Sequence, residues 1–152
     1  MEIPFSPPRI DDKIIAEVTS ALKSGWITTG PKTMLFEQKL SKYIENSDVL
    51  AVSSATAGLE LVLRWFGIKE GDEVIVPVYT YCATANVVEH CGAKVVFCDI
   101  KSEDFNIDTE QIKKHITKNT KVIIPVDFGG LPSDYSEIYN MLMLSKTKES
   151  KP

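Results

Sequence analysis

The sequence lacks the features that mark several large classes of protein. Its 152 residues contain no apolar run that approaches the length of about 18 residues needed for a transmembrane helix. Lys and Arg number 17 against 21 Asp and Glu, for a net charge of −4. This balance argues against a nucleic-acid binder and against a basic membrane-binding surface. The N-terminus lacks the basic start and apolar core of a signal peptide, so we expect a cytoplasmic protein.

Cysteine and histidine are also scarce. The spacing of Cys82, Cys91 and Cys98 matches neither a C-x-x-C redox pair nor a zinc motif. We expect these cysteines to be small buried hydrophobic residues. His90 and His115 have no partner at metal-ligand spacing and are predicted on helix surfaces. The sequence therefore predicts no metal site.

The pattern that is present alternates between strands and helices. Four short β-branched runs predict strands buried on both faces of a parallel sheet. They are Val49–Val52, Val74–Val78, Lys94–Cys98 and Val122–Val126. Helical spacing of apolar residues predicts helices over 11–24, 32–45, 57–67, 83–91, 109–116 and 134–143. We therefore predict an α/β fold, a partial doubly wound, mostly parallel sheet with flanking helices, and a disordered polar tail over 145–152.

The most informative segment joins the first of these runs to a helix. Small and hydroxyl residues fill positions 53–58, and an apolar helix follows. Free backbone N–H groups at a helix start, approached over small side chains, form an anion site that suits phosphate. Ser54 and Thr56 offer additional hydroxyl donors, whereas the alternative is that Ser53 or Ser54 only caps the helix. The segment is neither a P-loop nor G-x-G-x-x-G, because the lysine and the glycine spacing are missing.

Two later segments follow predicted strands at the same edge of the sheet. Tyr79 and Tyr81 flank Thr80 and could stack on a planar ring, because ligands in open α/β sheets bind at the carboxyl ends of strands. Alternatively, both tyrosines are core aromatics with locally satisfied hydroxyl groups. Asp127 follows the last predicted strand and either faces the same cleft or caps the next turn.

A further loop near the N-terminus carries Trp26, Thr28 and Thr29. This combination of an aromatic ring and hydroxyl groups suits either a subunit contact or a polar substrate.

Taken together, four segments resemble one family. They are GWITTGPK at 25–32, VSSATAGLEL at 52–61, GDEVIVPVYTYCATANVV at 71–88 and KVIIPVDFGGLPSD at 121–134. In this order and spacing they look like the N-terminal part of the DegT-type sugar aminotransferases. These are fold-type I enzymes that use pyridoxal 5'-phosphate (PLP) and act on nucleotide-linked keto-sugars. The resemblance covers about residues 3–143 and implies that residues 1–144 are the N-terminal part of the large domain.

The resemblance also implies roles for individual residues. Ala55 and Thr56 would hold the cofactor phosphate through backbone N–H groups, and Tyr81 would stack on the pyridine ring. The residues implied near the substrate or the subunit interface are Trp26, Thr28, Thr29 and Asp127. Family members resemble one another in forming homodimers and in taking the amino group from a donor, here expected to be glutamate. The amino-sugar product would serve cell-surface polysaccharide or lipopolysaccharide synthesis.

Two groups that the resemblance implies have no match within residues 1–152. One is an acid that keeps the pyridine nitrogen protonated, and the other is a lysine that binds the cofactor aldehyde. We therefore expect an N-terminal fragment with part of the cofactor pocket, no catalytic residue of its own and no activity alone. Two alternatives stay open: a sugar dehydratase of the same family, in which histidine replaces the lysine, and a non-catalytic α/β binding or assembly module.

Overall fold

The computed structural model describes residues 7–45 and 48–149, with side chains described as far as residue 142. The chain comprises two compact units, Met1–Ala51 and Val52–Pro152. The expectation that residues 1–144 belong to one large domain stays a prediction.

The first unit contains two helices, α1 (Asp12–Lys23) and α2 (Pro31–Tyr43). α1 begins where the sequence predicts because the side chain of Asp11 accepts the N–H groups of Lys13 and Ile14, each at 3.1 Å. A carboxylate at this position satisfies donors that have no acceptor within the helix.

The second unit is an α/β fold. In the part that the structure describes, its sheet has three parallel strands in the order β2-β1-β3. The strands are β1 (Glu73–Pro77), β2 (Lys94–Cys98) and β3 (Thr120–Ile123). The helices are α3 (Ala55–Trp65), α4 (Ala83–His90), α5 (Thr109–His115) and α6 (Tyr135–Glu149), and a 3₁₀ turn covers Phe128–Gly130. The predicted class, a parallel sheet with flanking helices, is confirmed.

β1 forms the centre of the core, and all five of its residues are buried. Successive side chains of a strand point to opposite faces of the sheet. Val74 and Val76 therefore pack with α3 and α4 on one face, whereas Ile75 packs with α5 and α6 on the other. Helices on both faces explain why the strand is a continuous apolar run instead of an alternating one.

The strand predicted at Val49–Val52 is wrong. Within the described residues, positions 49–52 belong to no strand. The N–H of Ala51 instead donates to Oε1 of Glu37 at 2.8 Å. A β-branched run supplies strand propensity, but a strand also needs a neighbouring chain that completes its ladder of hydrogen bonds.

β3 ends at Ile123, earlier than the predicted end at Val126. The N–H of Ile124 still donates to the carbonyl of Ile75 at 2.9 Å. Pro125 follows and has no N–H to offer, so the ladder stops there.

α6 continues to Glu149, beyond the predicted helix end at residue 143, and the disorder of the polar tail over 145–152 stays a prediction. Lysine and glutamate are good helix formers, so a polar segment without an apolar face can still be helical. Residues 150–152 of the predicted tail lie outside the described residues. None of the helices described, α6 included, is both long and apolar enough to cross a membrane.

The three cysteines differ in their surroundings. Cys98 is buried as predicted, and this burial raises the pKa of its thiol to about 11, with the charges of Asp108 and Asp99 adding to the shift. The expectation of burial is wrong for Cys82, which is exposed, and holds only in part for Cys91.

Glu73 ties together the amino edge of the sheet, where the strands begin. Its Oε1 accepts from Nζ of Lys94 at 2.8 Å, and its Oε2 accepts from the hydroxyl of Thr117 at 2.5 Å. Its N–H donates to the carbonyl of Asn119 at 2.8 Å. The contacts of Lys94 and Thr117 with the carboxylate hold the pKa of Glu73 below its ordinary value.

We expect Glu73 to stabilise the fold at neutral pH and to lose this contribution in acid. Because its pKa is lower in the folded chain than in the unfolded chain, the contribution is present above the unfolded pKa, about 4.3. It disappears as the pH falls through the lower folded value. Urea unfolding of Glu73→Gln should therefore show a smaller loss of unfolding free energy between about pH 5 and pH 2 than the original chain. Glu103→Gln is the control, because Glu103 lies in an exposed turn. If the unfolding free energy of the Glu73 and Glu103 variants depended on pH in the same way, the stabilising role of Glu73 would be contradicted.

Candidate functional site

The carboxyl edge of the sheet, where β1 and β3 end, carries an open cleft. β1 leads into loop 78–82 and β3 leads into loop 124–131. The cleft has a volume of about 370 Å³ and is lined by Tyr79, Thr80, Tyr81, Val126 and Phe128. Ligand pockets commonly measure about 300–1,000 Å³. The space therefore suits one small planar group, at the edge where open α/β sheets bind ligands.

α3 also begins toward this edge. Near its end, Nη2 of Arg64 donates to the carbonyl of His90, the last residue of α4, at 3.1 Å. Short connections then lead from the two helices to β1 and β2, whose first residues are joined by the Glu73–Lys94 ion pair. Because both helices pack on the same face of the sheet and end at its amino edge, both begin toward its carboxyl edge.

The start of α3 presents two free backbone donors. Oγ of Ser54 accepts the N–H of Ala57 at 3.1 Å, and the Ser54 carbonyl accepts the N–H of Gly58 at 3.1 Å. The N–H groups of Ala55 and Thr56 have no acceptor among the described residues, as expected for the first amides of a helix. The helix dipole adds partial positive charge at this point. Ser54 is therefore the helix cap, and its capping leaves two donors for an anion.

Tyr81 lines the cleft and exposes its ring to solvent. The residue is 78% exposed, so the alternative of a core aromatic is wrong for it. Its backbone is fixed, because its carbonyl accepts the N–H of Thr84 at 3.0 Å. The hydroxyl groups of Thr80 and Thr84 lie 2.8 Å apart and brace the same turn. A ring that is exposed on a fixed backbone suits stacking on a planar ligand.

Asp127 lies beside the cleft but does not line it. Its Oδ1 accepts the N–H of Ser133 and the hydroxyl of Tyr135, each at 2.9 Å. These bonds lower the pKa of Asp127, whereas burial and the carboxylate together raise the pKa of Tyr135. The carboxylate thus holds the turn before α6, and its role toward a substrate stays a prediction.

Tyr79, Phe105 and Phe128 form an aromatic cluster that was not predicted from the sequence. The Tyr79–Phe128, Phe105–Phe128 and Tyr79–Phe105 ring centroids lie 5.1, 5.3 and 5.6 Å apart. Asn106 joins the two loops that carry these phenylalanines: its Oδ1 accepts the N–H of Phe128 at 3.0 Å, and its Nδ2 donates to the carbonyl of Leu131 at 3.1 Å. The only signal in the sequence is an asparagine beside an aromatic residue, which is too common to single out.

In the first unit, Trp26 closes the loop between α1 and α2. Its Nε1 donates to the carbonyl of Thr29 at 3.0 Å. The indole covers Gly30 so closely that a Cβ there would lie 2.1 Å from Nε1. The side chains of Thr28 and Thr29 are exposed. Roles for Trp26, Thr28 and Thr29 at a substrate or a subunit contact stay predictions.

Comparison with known families gives one match over nearly the whole chain. Residues 8–145 match the DegT/DnrJ/EryC1/StrS aminotransferase family. The chain belongs to this family. The family resemblance of the four sequence segments is therefore confirmed.

Three similar proteins illustrate the range of reactions and of sequence identities among the relatives of this chain. The UDP-4-amino-4-deoxy-L-arabinose–oxoglutarate aminotransferase of Shewanella sediminis is 41% identical over 91% of this chain and 36% of its own. A Streptococcus pneumoniae protein described as a sugar aminotransferase, in its PLP form, is 46% identical with a TM-score of 0.88, over 92% of this chain and 36% of its own. The Escherichia coli GDP-4-keto-6-deoxy-D-mannose-3-dehydratase with bound hydrated PLP is 28% identical with a TM-score of 0.87, over 93% and 38%.

The chain thus spans little more than a third of the length of these relatives. Both solved relatives carry PLP, which is the cofactor that the family resemblance implies.

We expect Gly30→Ala to displace the Trp26 indole, because the added Cβ would lie far inside contact distance of the ring. The indole N–H would then lose the Thr29 carbonyl, and its ¹H–¹⁵N resonance should move toward that of a solvated indole. Trp65→Phe, made in the same background, assigns the two tryptophan resonances.

Gly58→Ala is the matched control for this substitution. Its Cβ would lie 3.4 Å from Cγ2 of Val52, which is an ordinary contact, and the Trp26 resonance should stay in place. A Gly30→Ala spectrum with an unmoved Trp26 indole would show that the ring does not cover this glycine.

Proposed function

We propose that this chain forms the phosphate- and ring-binding part of a cytoplasmic, PLP-dependent aminotransferase. The enzyme would convert a nucleotide-linked keto-sugar to an amino-sugar, with glutamate as the donor, for cell-surface polysaccharide or lipopolysaccharide synthesis. One observation carries the proposal: two free amide donors at the start of α3 and the exposed ring of Tyr81 lie toward the same edge of the sheet. The names of the relatives support the sugar class.

The residues at this edge fit PLP. A phosphate dianion suits the N–H groups of Ala55 and Thr56, because both are unpaired within the described residues and the helix dipole favours negative charge. Tyr81 would lie against the pyridine ring. When bound, PLP supplies an electron sink for proton removal beside the amino group. The residues of this chain would bind and orient the cofactor.

We assign no proton transfer to any residue of this chain. The acid at the pyridine nitrogen and the lysine at the aldehyde are implied by the family resemblance. The proposal places both in the part of the relatives that this chain does not match, which is nearly two thirds of their length.

A sugar dehydratase of the same family is the second candidate. The E. coli dehydratase matches this chain with a TM-score of 0.87 and binds PLP, so the same phosphate and ring contacts would serve either reaction. A non-catalytic module, in contrast, requires no anion at the start of α3.

We expect Ala55→Pro to weaken cofactor binding without unfolding α3. Proline is favoured at the first position of a helix, and the extended backbone of Ser54 tolerates a following proline. The substitution removes one N–H donor to the phosphate. Loss of a hydrogen bond to a charged group costs about 1.5–3 kcal/mol, so the dissociation constant should rise by roughly ten- to 150-fold.

Pyridoxamine 5'-phosphate is the probe of choice, because it lacks the aldehyde that reacts with surface lysines. Its binding is followed by the ¹H–¹⁵N shifts of Ala55, Thr56 and Ala57 in the 152-residue chain. Asp12→Pro makes the same change at the first position of α1 and should leave the affinity unchanged. If the probe leaves these three amides unmoved in the original chain, the phosphate site is refuted and the non-catalytic alternative is favoured.

We further propose that the protein is a homodimer. Ile14, Val18 and Leu22 form one apolar stripe on α1, and their exposed fractions lie between 41% and 64%. Exposed apolar stripes of this kind commonly mark protein contacts.

Sedimentation velocity at micromolar concentration tests this proposal. We expect self-association of the original chain and a shift toward monomer in Val18→Glu, because a buried carboxylate in an apolar contact is unfavourable. Thr19→Glu adds the same charge to the polar face of α1 and should retain the association. A clean monomer in the original chain would refute the proposed contact.

A further inference from the structure

A buried side-chain amide holds the turn that carries Phe128, one of the residues that line the cleft. Asn106 is 3% exposed. Its Oδ1 accepts the N–H of Phe128 at 3.0 Å, and its Nδ2 donates to the carbonyl groups of Leu131 and Pro132 at 3.1 and 3.4 Å. Asn106 therefore bonds to the backbone on both sides of two successive glycines, at positions 129 and 130.

The turn needs such a contact because its own backbone has unusual freedom. Gly129 and Gly130 have φ of 61° and 83°, in a region that glycine reaches easily but shares with many other conformations. The N–H of Leu131 donates to the carbonyl of Phe128 at 3.0 Å and closes the turn locally. Asn106 lies 22 residues before Phe128 and ties the turn to a distant segment of the chain.

Asn106 is itself held in place. Its carbonyl accepts the N–H of Lys101 at 2.9 Å, and its N–H donates to Oδ1 of Asp104 at 2.9 Å. The next residue, Ile107, is 2% exposed and packs in the core with Ile75 of β1. The turn that carries Phe128 is thus held from an anchor in the core of the sheet.

Phe128 carries this restraint to the cleft. Its ring centroid lies 5.1 Å from that of Tyr79 and 5.3 Å from that of Phe105. Phe128 and Tyr79 line the cleft together with Tyr81, and Phe128 remains 38% exposed. A ring that is ordered before binding loses little conformational freedom when a ligand arrives.

We propose that Asn106 is a positioning residue for the cofactor ring and that it acts through Phe128. The inference rests on the proposed function, in which the pyridine ring lies against Tyr81. Because the cleft suits one planar group, the wall formed by the loop after β3 has to keep its place if that group is to stay against Tyr81. An amide suits this task, since it offers an acceptor to one N–H and donors to two carbonyl groups.

The test compares two probes, pyridoxamine 5'-phosphate and inorganic phosphate, followed by the ¹H–¹⁵N shifts of Ala55 and Thr56 in the 152-residue chain. Asn106→Ala should raise the dissociation constant of pyridoxamine 5'-phosphate roughly 2- to 12-fold, which corresponds to the cost of ordering one side chain on binding. The affinity for inorganic phosphate should stay unchanged, because its donors lie at the start of α3 and not in the turn. A general loss of structure would lower both affinities.

Asn106→Asp is the second variant, because it keeps the shape of the side chain and an acceptor for the N–H of Phe128. It sets a carboxylate oxygen against the carbonyl groups of Leu131 and Pro132, so it should also weaken binding of pyridoxamine 5'-phosphate. In the free chain, both variants should weaken the nuclear Overhauser effects between the rings of Phe128 and Tyr79.

Thr109→Val is the matched control. Thr109 is 2% exposed, and its hydroxyl donates to Glu137 at 2.5 Å across 28 residues, so the variant also loses a buried long-range hydrogen bond. Thr109 does not line the cleft, so both affinities and the Phe128–Tyr79 ring contacts should stay unchanged.

A double-mutant cycle tests whether Asn106 acts through the ring of Phe128. Asn106→Ala should have less effect on the affinity for pyridoxamine 5'-phosphate in a Phe128→Leu background than in the original chain, because residues that act together are not additive. An equal effect in the two backgrounds would contradict the route through Phe128 and overturn the inference.

The outcomes separate this inference from the proposed function. If the folded Asn106 variants bind pyridoxamine 5'-phosphate as tightly as the original chain, the inference is overturned and the proposed function stands. The same holds if the variants lose affinity for both probes alike, or if neither variant folds, because Asn106 would then serve the fold as a whole. If pyridoxamine 5'-phosphate moves neither Ala55 and Thr56 nor Tyr81 in the original chain, the proposed function fails and the inference fails with it.

Discussion

Parallel pairing of β1 with β2 and β3 is the constraint on which the candidate site depends. Parallel strands place all their carboxyl ends at one edge, so the loops after β1 and β3 must emerge side by side. The chain then has to return across the sheet before the next strand, and helices make that return. Helix N-termini therefore lie toward the same edge as the ends of the strands, and the cleft between the loops is a direct consequence of topology.

Capping decides how much of the helix start is available to a ligand. Ser54 takes one amide at the start of α3 through its hydroxyl and another through its carbonyl. A residue that also accepted from the amides of Ala55 and Thr56 would leave no free donor for the proposed phosphate. The small side chain of Ala55 and the short cap together leave the donors exposed without destabilising the helix.

Local pattern predicted most of the fold, because most of the relevant forces are local or periodic. The bounds of β2 agree with the prediction, and the caps provided by Asp11, Ser54 and Asp108 follow from the preference of short polar side chains for helix starts. Residues 49–52 were assigned wrongly because propensity does not reveal whether a partner strand is present.

Long-range contacts account for the part of the site that the sequence did not reveal. Asn106 meets Phe128 across a sequence separation of 22 residues, and no periodicity links the two. The helix start at Ser54 and the strand end before Tyr81 could be predicted because each has a local signal in the sequence, whereas the binding of an anion and of a planar ring there stays a prediction. The aromatic cluster of Tyr79, Phe105 and Phe128 could not be predicted, because it exists only once three distant segments are brought together.

The ion pair of Glu73 and Lys94 lies at the opposite edge from the cleft, a full strand away. Five residues of a strand span about 16 Å. Effects of substitutions usually become independent beyond about 7–10 Å. Substitutions in the loops at one end of this sheet should therefore leave unchanged the stabilising effect of the ion pair at the other end.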